Sequence, residues 1–468
     1  MDTLQNLLVQ EKTLVSQMQA MGDLLSGVRD HIAELKSVNG DAGTYNLPSE
    51  TLSAIFEAGL SNMPKTKERS RASLLDQPRE RTTPFELLVS SVSRRWRYVA
   101  LQTPQLWTVL VVGAVRLPHD LYDLYLYRSK KCSLDITLDC SNGHGLSELD
   151  CEINVERHLE RLIPHVGRWR KFTVRSPSGS CLSPLSHLRA PALETLILDF
   201  SNGRPGMELF SGGAPRLSSL ELTEANFRPP LAAIKYLKLS RSFFGPLFSY
   251  DQFSRLIQPM RSLTCLSIAA VIVSDWTNHS PIELQSVLTL HIYFNYRDTD
   301  SNTLRILDFP AVETLTIHSS TKVAVEALTQ SHRTYPHVQS LTLANDLEYG
   351  DRDNTPVTPT LDFISLLPNV RDVVFQGTDP IPILNALHER NPTNTLIWAD
   401  LSTITVVAAR RAKVMHKKQT WTSIVEVVES RVRLRHRISS ITLSSQIVER
   451  GGQRQKQRLR KQVALTEC

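Results

Sequence analysis

The chain has 468 residues, too many for one compact core, so two or more folding units are expected. Hydrophobic residues make up 41% and charged residues 21%, the balance of a globular protein rather than a disordered one. The net charge of +6 is uneven: Arg410 to Lys461 carries fifteen Lys or Arg against three Glu, a net +12, leaving about −6 elsewhere; the basic balance describes the C-terminal region and not the body.

The start, MDTLQNLLVQEKTLVSQ, lacks the basic opening and apolar centre of a secretory signal. No apolar run is long enough to cross a bilayer. A cytoplasmic or nuclear location and no membrane partner are expected. Residues 1–38 contain no proline, and Leu4, Leu7, Glu11, Leu14, Met18, Met21, Leu25, Val28, Ile32 and Leu35 step by three and four. Nine of these ten are apolar, which predicts an amphipathic heptad helix and a candidate coiled coil. Two readings are equally open: self-association through this helix, or packing onto its own chain. Gly22, Gly27 and Glu11 weigh against the seam. Val38-Asn39-Gly40-Asp41-Ala42-Gly43 is expected to end the helix and form a linker.

Leu47-Pro48-Ser49-Glu50 then opens a helix, with proline at its start, Glu50 in the first turn, and Leu52, Ile55 and Phe56 on one face. Phe85, Leu88, Val89, Val92, Trp96 and Val99 recur at helical spacing. Thr103-Pro104-Gln105-Leu106-Trp107 marks a turn and a buried aromatic. The ordered series is Leu47-Pro48, Leu52, Ile55, Val92-Ser93-Arg94, Trp96, and Pro104 before Leu106-Trp107. Over residues 45–110 it resembles an F-box, in particular the F-box-like domains abundant in mushroom-forming (basidiomycete) fungi. That resemblance implies a short helical domain docking onto the Skp-family adaptor of a cullin ubiquitin ligase. The residues implied for the adaptor face or its supporting core are Leu47, Pro48, Leu52, Ile55, Val92, Trp96 and Trp107. Residues 61–84, polar and holding three prolines, interrupt the pattern and are expected to be a loop insertion. The other reading of Leu47 to Trp107 is a helical cap on the C-terminal remainder of the chain.

From residue 166 an apolar-x-x-apolar-x-apolar pattern recurs. Its instances are Trp169/Phe172/Val174, Leu193/Leu196/Leu198, Leu217/Leu220/Leu222, Ile234/Leu237/Leu239, Leu263/Leu266/Ile268, Val287/Leu290/Ile292, Val312/Leu315/Ile317, Val338/Leu341/Leu343 and Val370/Val373/Phe375, with Leu401/Ile404/Val406 and Ile438/Ile441/Leu443 less regular. The first anchors are 24, 24, 17, 29, 24, 25, 26, 32, 31 and 37 residues apart, and most early spacings resemble a leucine-rich repeat. Each unit would place one apolar strand edge inward and stack on the next. Pro191, Pro215, Pro310, Pro336 and Pro368 each stand two residues before a first anchor, where proline sets the turn into the strand. The asparagine of regular repeats is filled only at Asn295; Ser201, Ala225, Ser242, Val271, Ser320, Asp346 and Thr378 stand elsewhere. The repeats are therefore irregular. Separate strands in an unrelated α/β domain are the competing reading.

No catalytic motif is present: there is no P-loop, no GxGxxG after a strand, no HExxH and no GxSxG. The six cysteines form no CxxC pair and lie beside no histidine at ligand spacing. No catalytic residue, cofactor or metal ligand is expected. In the C-terminal region, Arg410-Arg411-Ala412-Lys413, Lys417-Lys418, Arg431 to Arg437 and Arg450 to Lys461 read first as a solvated face and tail. They read second as a localisation signal and third as a nucleic-acid patch. Trp421 is the lone aromatic there, so base stacking has little support and nucleic acid is not the expected partner.

The expected fold is α/β: an N-terminal helix (1–38), a helical F-box-like segment (45–110), an irregular leucine-rich-repeat solenoid (111–446) with parallel strands and helices or loops on the convex side, and a basic tail expected to be disordered (447–468). The expected function is substrate recognition for a Skp–cullin–F-box type ubiquitin ligase, with the Skp-family adaptor and an unidentified substrate protein as partners. The alternatives are a non-ligase interaction scaffold oligomerised by residues 1–38, and a nucleic-acid binder using the basic C-terminus.

Overall fold

The computed structural model describes residues 2–40, 47–62, 84–113, 119–140, 148–202, 205–224, 226–241, 247–274, 277, 279–294, 302–319, 321–331, 333–345, 361–388, 396–407 and 414–468. The chain forms two compact units, Met1–Val109 with Asp120–Cys132, and Leu110–His119 with Ser133–Cys468.

The first unit is helical: α1 (Asp2–Gly40), α2 (Ser49–Asn62), α3 (Phe85–Val92), α4 (Arg94–Gln102), a 3-10 turn at Pro104–Trp107 and α5 (His119–Arg128). Helix α1 continues to Gly40, beyond the expected end at residue 38; the rest of the expected linker lies outside the described residues, as do residues 63–83 of the expected insertion. Pro48 precedes α2, and its carbonyl accepts from Leu52 N at 3.1 Å. Ser93 separates α3 from α4: its extended backbone (φ −155°) stops one helix, and its hydroxyl caps the next by accepting from Trp96 N at 3.1 Å. Gly59 lets α2 and α3 approach, since a Cβ there would lie 2.5 Å from Phe85 Cζ.

The second unit is α/β and built on one large sheet. Its strands in chain order are β1 (Val109–Gly113), β2 (Leu134–Asp139), β3 (Trp169–Ser178), β4 (Thr195–Asn202), β5 (Pro205–Glu208), β6 (Ser219–Thr223), β7 (Asn226–Arg228), β8 (Tyr236–Ser240), β9 (Cys265–Ala269), β10 (Ile282–Glu283), β11 (Thr289–Tyr293), β12 (Leu307–Asp308), β13 (Thr314–His318), β14 (Ser340–Ala344), β15 (Asp372–Gln376), β16 (Thr403–Val407), β17 (Ser440–Leu443) and β18 (Ala464–Glu467). Fourteen form the main sheet in the order β1-β2-β3-β4-β6-β8-β9-β11-β13-β14-β15-β16-β17-β18; β5 pairs with β7 and β10 with β12 in small parallel sheets. From β2 onward every neighbour in the main sheet is parallel. Parallel neighbours need crossovers. Those with regular helix include α6 (Glu148–Leu162), α7 (Tyr250–Ile257), α8 (Asn302–Ile306), α9 (Thr321–Ser331), α10 (Leu361–Ser365), α11 (Ile381–His388), α12 (Val414–Arg433), α13 (Ser445–Val448) and α14 (Gln453–Gln462).

The register joins equivalent residues of successive repeats. Phe172, Leu196, Leu220, Leu237, Leu266, Leu290, Leu315, Leu341, Val373, Ile404 and Ile441 form one continuous buried column. Val174 to Leu443 form a second, two residues on. The eleven first anchors, Trp169 to Ile438, are at most 3% exposed. Each step between strands therefore buries three apolar side chains that no single repeat could cover alone.

The recurring proline has a definite seat. Leu193, Leu217, Val312 and Val338 each donate their N–H to the carbonyl three residues back, Ala190, Ala214, Phe309 and Tyr335. Pro191, Pro215, Pro310 and Pro336 thus occupy the second position of a hydrogen-bonded turn, where the ring's fixed φ is already correct.

One expectation is corrected. Residues 447–468 are ordered rather than a disordered tail: α14 leads into β18, which pairs with β17 from Ser440↔Ala464 to Leu443↔Glu467. Leu459 and Val463 are buried under this last unit. Trp421 of α12 lies against Gly451 and donates Nε1–H to Gln455 Oε1 at 3.0 Å. Pairing, apolar burial and this clamp hold the segment although it is mostly basic.

Candidate functional site

The helices of the first unit are held by a dense aromatic and polar centre. Trp107 is fully buried and donates Nε1–H to Ala100 O at 2.9 Å. Its ring meets Tyr125 edge-on at 5.1 Å and carries the Arg128 guanidinium at 4.3 Å, a cation–π contact. The Tyr125 hydroxyl donates to the buried Glu86 carboxylate, tying α5 to α3. Burial, and then the bond to Glu86, push the phenol well above its ordinary pKa, so it stays a donor at every physiological pH. Thr103 Oγ1 donates to Val99 O at 2.8 Å and shares a bond with Ser53 Oγ at 2.8 Å. Arg95 donates to the Leu47 carbonyl, and Trp96 packs on Phe56 with ring centroids 5.0 Å apart.

The seven residues singled out from the sequence divide between support and surface. Leu52 and Trp107 lie in the core, and Leu47 and Trp96 are half-buried. Pro48, Ile55 and Val92 are exposed. The structure adds Leu88 and Tyr98 to the exposed apolar set. Leu88 and Val92 share one stripe of α3 at i, i+4, and Pro48 and Ile55 one stripe at the head of α2 at i, i+7. Ile55, Leu88 and Val92 are 47%, 49% and 57% exposed. For Leu88 the spacing to Val92 was the available signal. Tyr98 sits among Arg94 and Arg97 in the sequence, a setting that reads as a polar face.

The second unit presents a different surface. Between the buried columns, alternate strand residues form a mostly polar register column, Thr137, Thr173, Ile197, Glu221, Lys238, Ser267, His291, Thr316, Thr342, Val374, Thr405 and Thr442; Thr173, Ile197, Ser267 and Thr316 are buried and the others half-buried. Parallel sheets are normally covered on both faces by apolar contacts; this face is polar and partly open. Arg175 lies 3.9 Å from both Asp139 and Asp199, its register neighbours, and Lys238 lies 3.4 Å from Glu221. Farther along, Tyr293 stacks on His318 at 4.0 Å and 8°, with His291 at 6.3 Å from His318. Burial and the neighbouring His318 lower the His291 pKa, which keeps that ring neutral near pH 7.

The Cys140 and Cys181 thiols are pushed up to about 11 and about 12, chiefly by burial, and are protonated at neutral pH. Among the described residues no group of three or more His, Cys, Asp or Glu could hold a metal ion, and no helix is long and apolar enough to cross a membrane. A scan of protein-family models and a search of curated proteins both found no match to this chain.

Proposed function

We propose that this protein is a substrate-recognition adaptor of a Skp–cullin–F-box type ubiquitin ligase. In this reading the first unit is an F-box-like domain and the second an irregular leucine-rich-repeat solenoid. The exposed stripes Pro48/Ile55 and Leu88/Val92 dock the Skp-family adaptor, while Leu47, Leu52, Trp96 and Trp107 keep the helices in place behind them. The outward strand face, with its paired charges and the Tyr293–His318 stack, holds the substrate protein. The protein itself performs no covalent step; it brings the substrate to the transferring enzyme.

The observation that carries this reading is the exposure of Ile55, Leu88 and Val92 on helices whose ordered sequence, LP to PQLW, resembles an F-box. Three large aliphatic side chains held open by a rigid core suit a protein interface better than a solvated surface. The test is co-purification of the intact chain with a Skp-family adaptor. Capture by the wild type and loss of capture by Ile55→Asp/Val92→Asp, with unchanged thermal unfolding, support the reading. A folded chain that ignores the adaptor overturns it. The second reading is an interaction scaffold without a ligase, favoured by the exposed apolar stripe of α1.

A further inference from the structure

Helix α1 is 39 residues long, and residues 10–32 are exposed throughout. Leu14, Met18, Met21, Leu25, Val28 and Ile32 stand open to solvent on one heptad seam, widened by Val15 and Leu24. Most helical stability in proteins comes from packing an apolar face, and Gly22 and Gly27 weaken this helix further. The seam therefore needs a partner, and its own sequence indicates which.

We propose that α1 pairs with α1 of a second copy as an antiparallel two-stranded coiled coil. In an antiparallel pair each a position faces a d position of the other helix. With Glu11, Met18 and Leu25 at a, and Leu14, Met21 and Val28 at d, one alignment matches all six. It pairs Glu11 with Val28, Leu14 with Leu25 and Met18 with Met21, and the two-fold axis repeats the set. This seam is about 27 Å long at 1.5 Å per residue.

Charge selects the direction. In a parallel, in-register pair the two Glu11 side chains would meet across the seam as like charges. In the antiparallel pair Glu11 lies across from Val28, and the next residue of that helix, Arg29, stands at the e position on the same flank. An a side chain leans toward e of its antiparallel neighbour, so each Glu11 carboxylate reaches an Arg29 guanidinium, twice per dimer. The one acidic interruption of the seam becomes an orientation device, the use best attested for polar seam residues.

The experiment uses the full chain in a Cys468→Ser background, because Cys468 is exposed. Analytical ultracentrifugation gives the oligomeric state, and oxidation of cysteine variants gives the direction. The expected results are a dimer, a disulfide between Leu14→Cys and Leu25→Cys chains when mixed, and little disulfide from either alone. Glu11→Lys and Arg29→Glu singly weaken the dimer by about threefold to tenfold, and together restore it. Disulfides formed by each variant alone show a parallel pair and overturn the proposal. So does a chain that stays monomeric at tens of micromolar with its helix content intact, which would mean that α1 is covered by another partner or by its own chain.

Discussion

Arg431 shows how a charged side chain becomes part of the second unit's interior. It is fully buried in α12 and donates to the carbonyls of Ile397 and Trp398, the latter bond at 2.8 Å. Trp398 holds φ +45°, a left-handed conformation uncommon for a bulky residue. Its indole donates to Leu367 O at 2.7 Å. Arg431 therefore bridges α12 to a strained turn, and burial lowers its pKa to about 10, still well above neutrality. Arg431→Met removes both bonds, leaving the Trp398 carbonyl only its bond from Leu401 N at 3.0 Å, and should destabilise the protein by about 1–3 kcal/mol, read from urea unfolding. His291 gives a pH dependence with a definite sign. Its folded pKa is below the ordinary value, so between the two the unfolded chain binds more protons. Its contribution is present above about pH 6.5 and is lost as pH falls through that window. The wild type should lose more thermal stability than His291→Gln between pH 7.5 and 5; an equal loss would show that the ring does not titrate with unfolding. Buried thiols give a further residue-level outcome. Iodoacetamide should label the exposed Cys468 in the native protein and spare Cys140 and Cys181 until denaturant is added, as peptide mapping would show.

At the scale of elements, the repeats were legible wherever three apolar anchors coincide, because each is buried by its equivalents on both sides. The template fails at the ends for a physical reason. Three residues before Ile136 stands Ser133, so β2 lacks a first anchor although Leu134, Ile136 and Leu138 alternate and are fully buried. At the other end Gln462 and Glu467 replace the first and last anchors around Leu465, and α14 reads as polar apart from Leu459. What orders that unit is long-range: strand pairing with β17 and the fit of Trp421 against Gly451, where a Cβ would approach Trp421 Cε2 to 2.4 Å. The candidate site shows the same division. Apolar periodicity located Leu52, Ile55, Val92 and Trp96 on helices, but which of them face solvent depends on packing between helices distant in sequence. Removing residues 447–468 should therefore do more than trim a tail. It bares the edge of β17 and uncovers Trp421, so the truncated chain should melt at lower temperature and aggregate. An unchanged melting temperature would contradict the ordered last repeat. Within the column, Leu290→Ala should cost about 2–5 kcal/mol in a denaturation series.

At the scale of the whole molecule, two kinds of surface belong to two different units. The helical unit offers exposed aliphatic side chains on a rigid support; the sheet offers a polar, partly open strand face along twelve of its strands. An adaptor needs both, one for the machinery and one for the client. The assignment of the helical surface is the pivotal part, since without it the sheet is a binding platform with no ligase. Purification of the intact chain after co-expression with a Skp-family adaptor tests it most directly. A stoichiometric complex is predicted, abolished by Ile55→Asp/Val92→Asp and untouched by substitutions on the strand face such as His318→Ala. A chain that folds, melts cooperatively and elutes without the adaptor would contradict the ligase assignment.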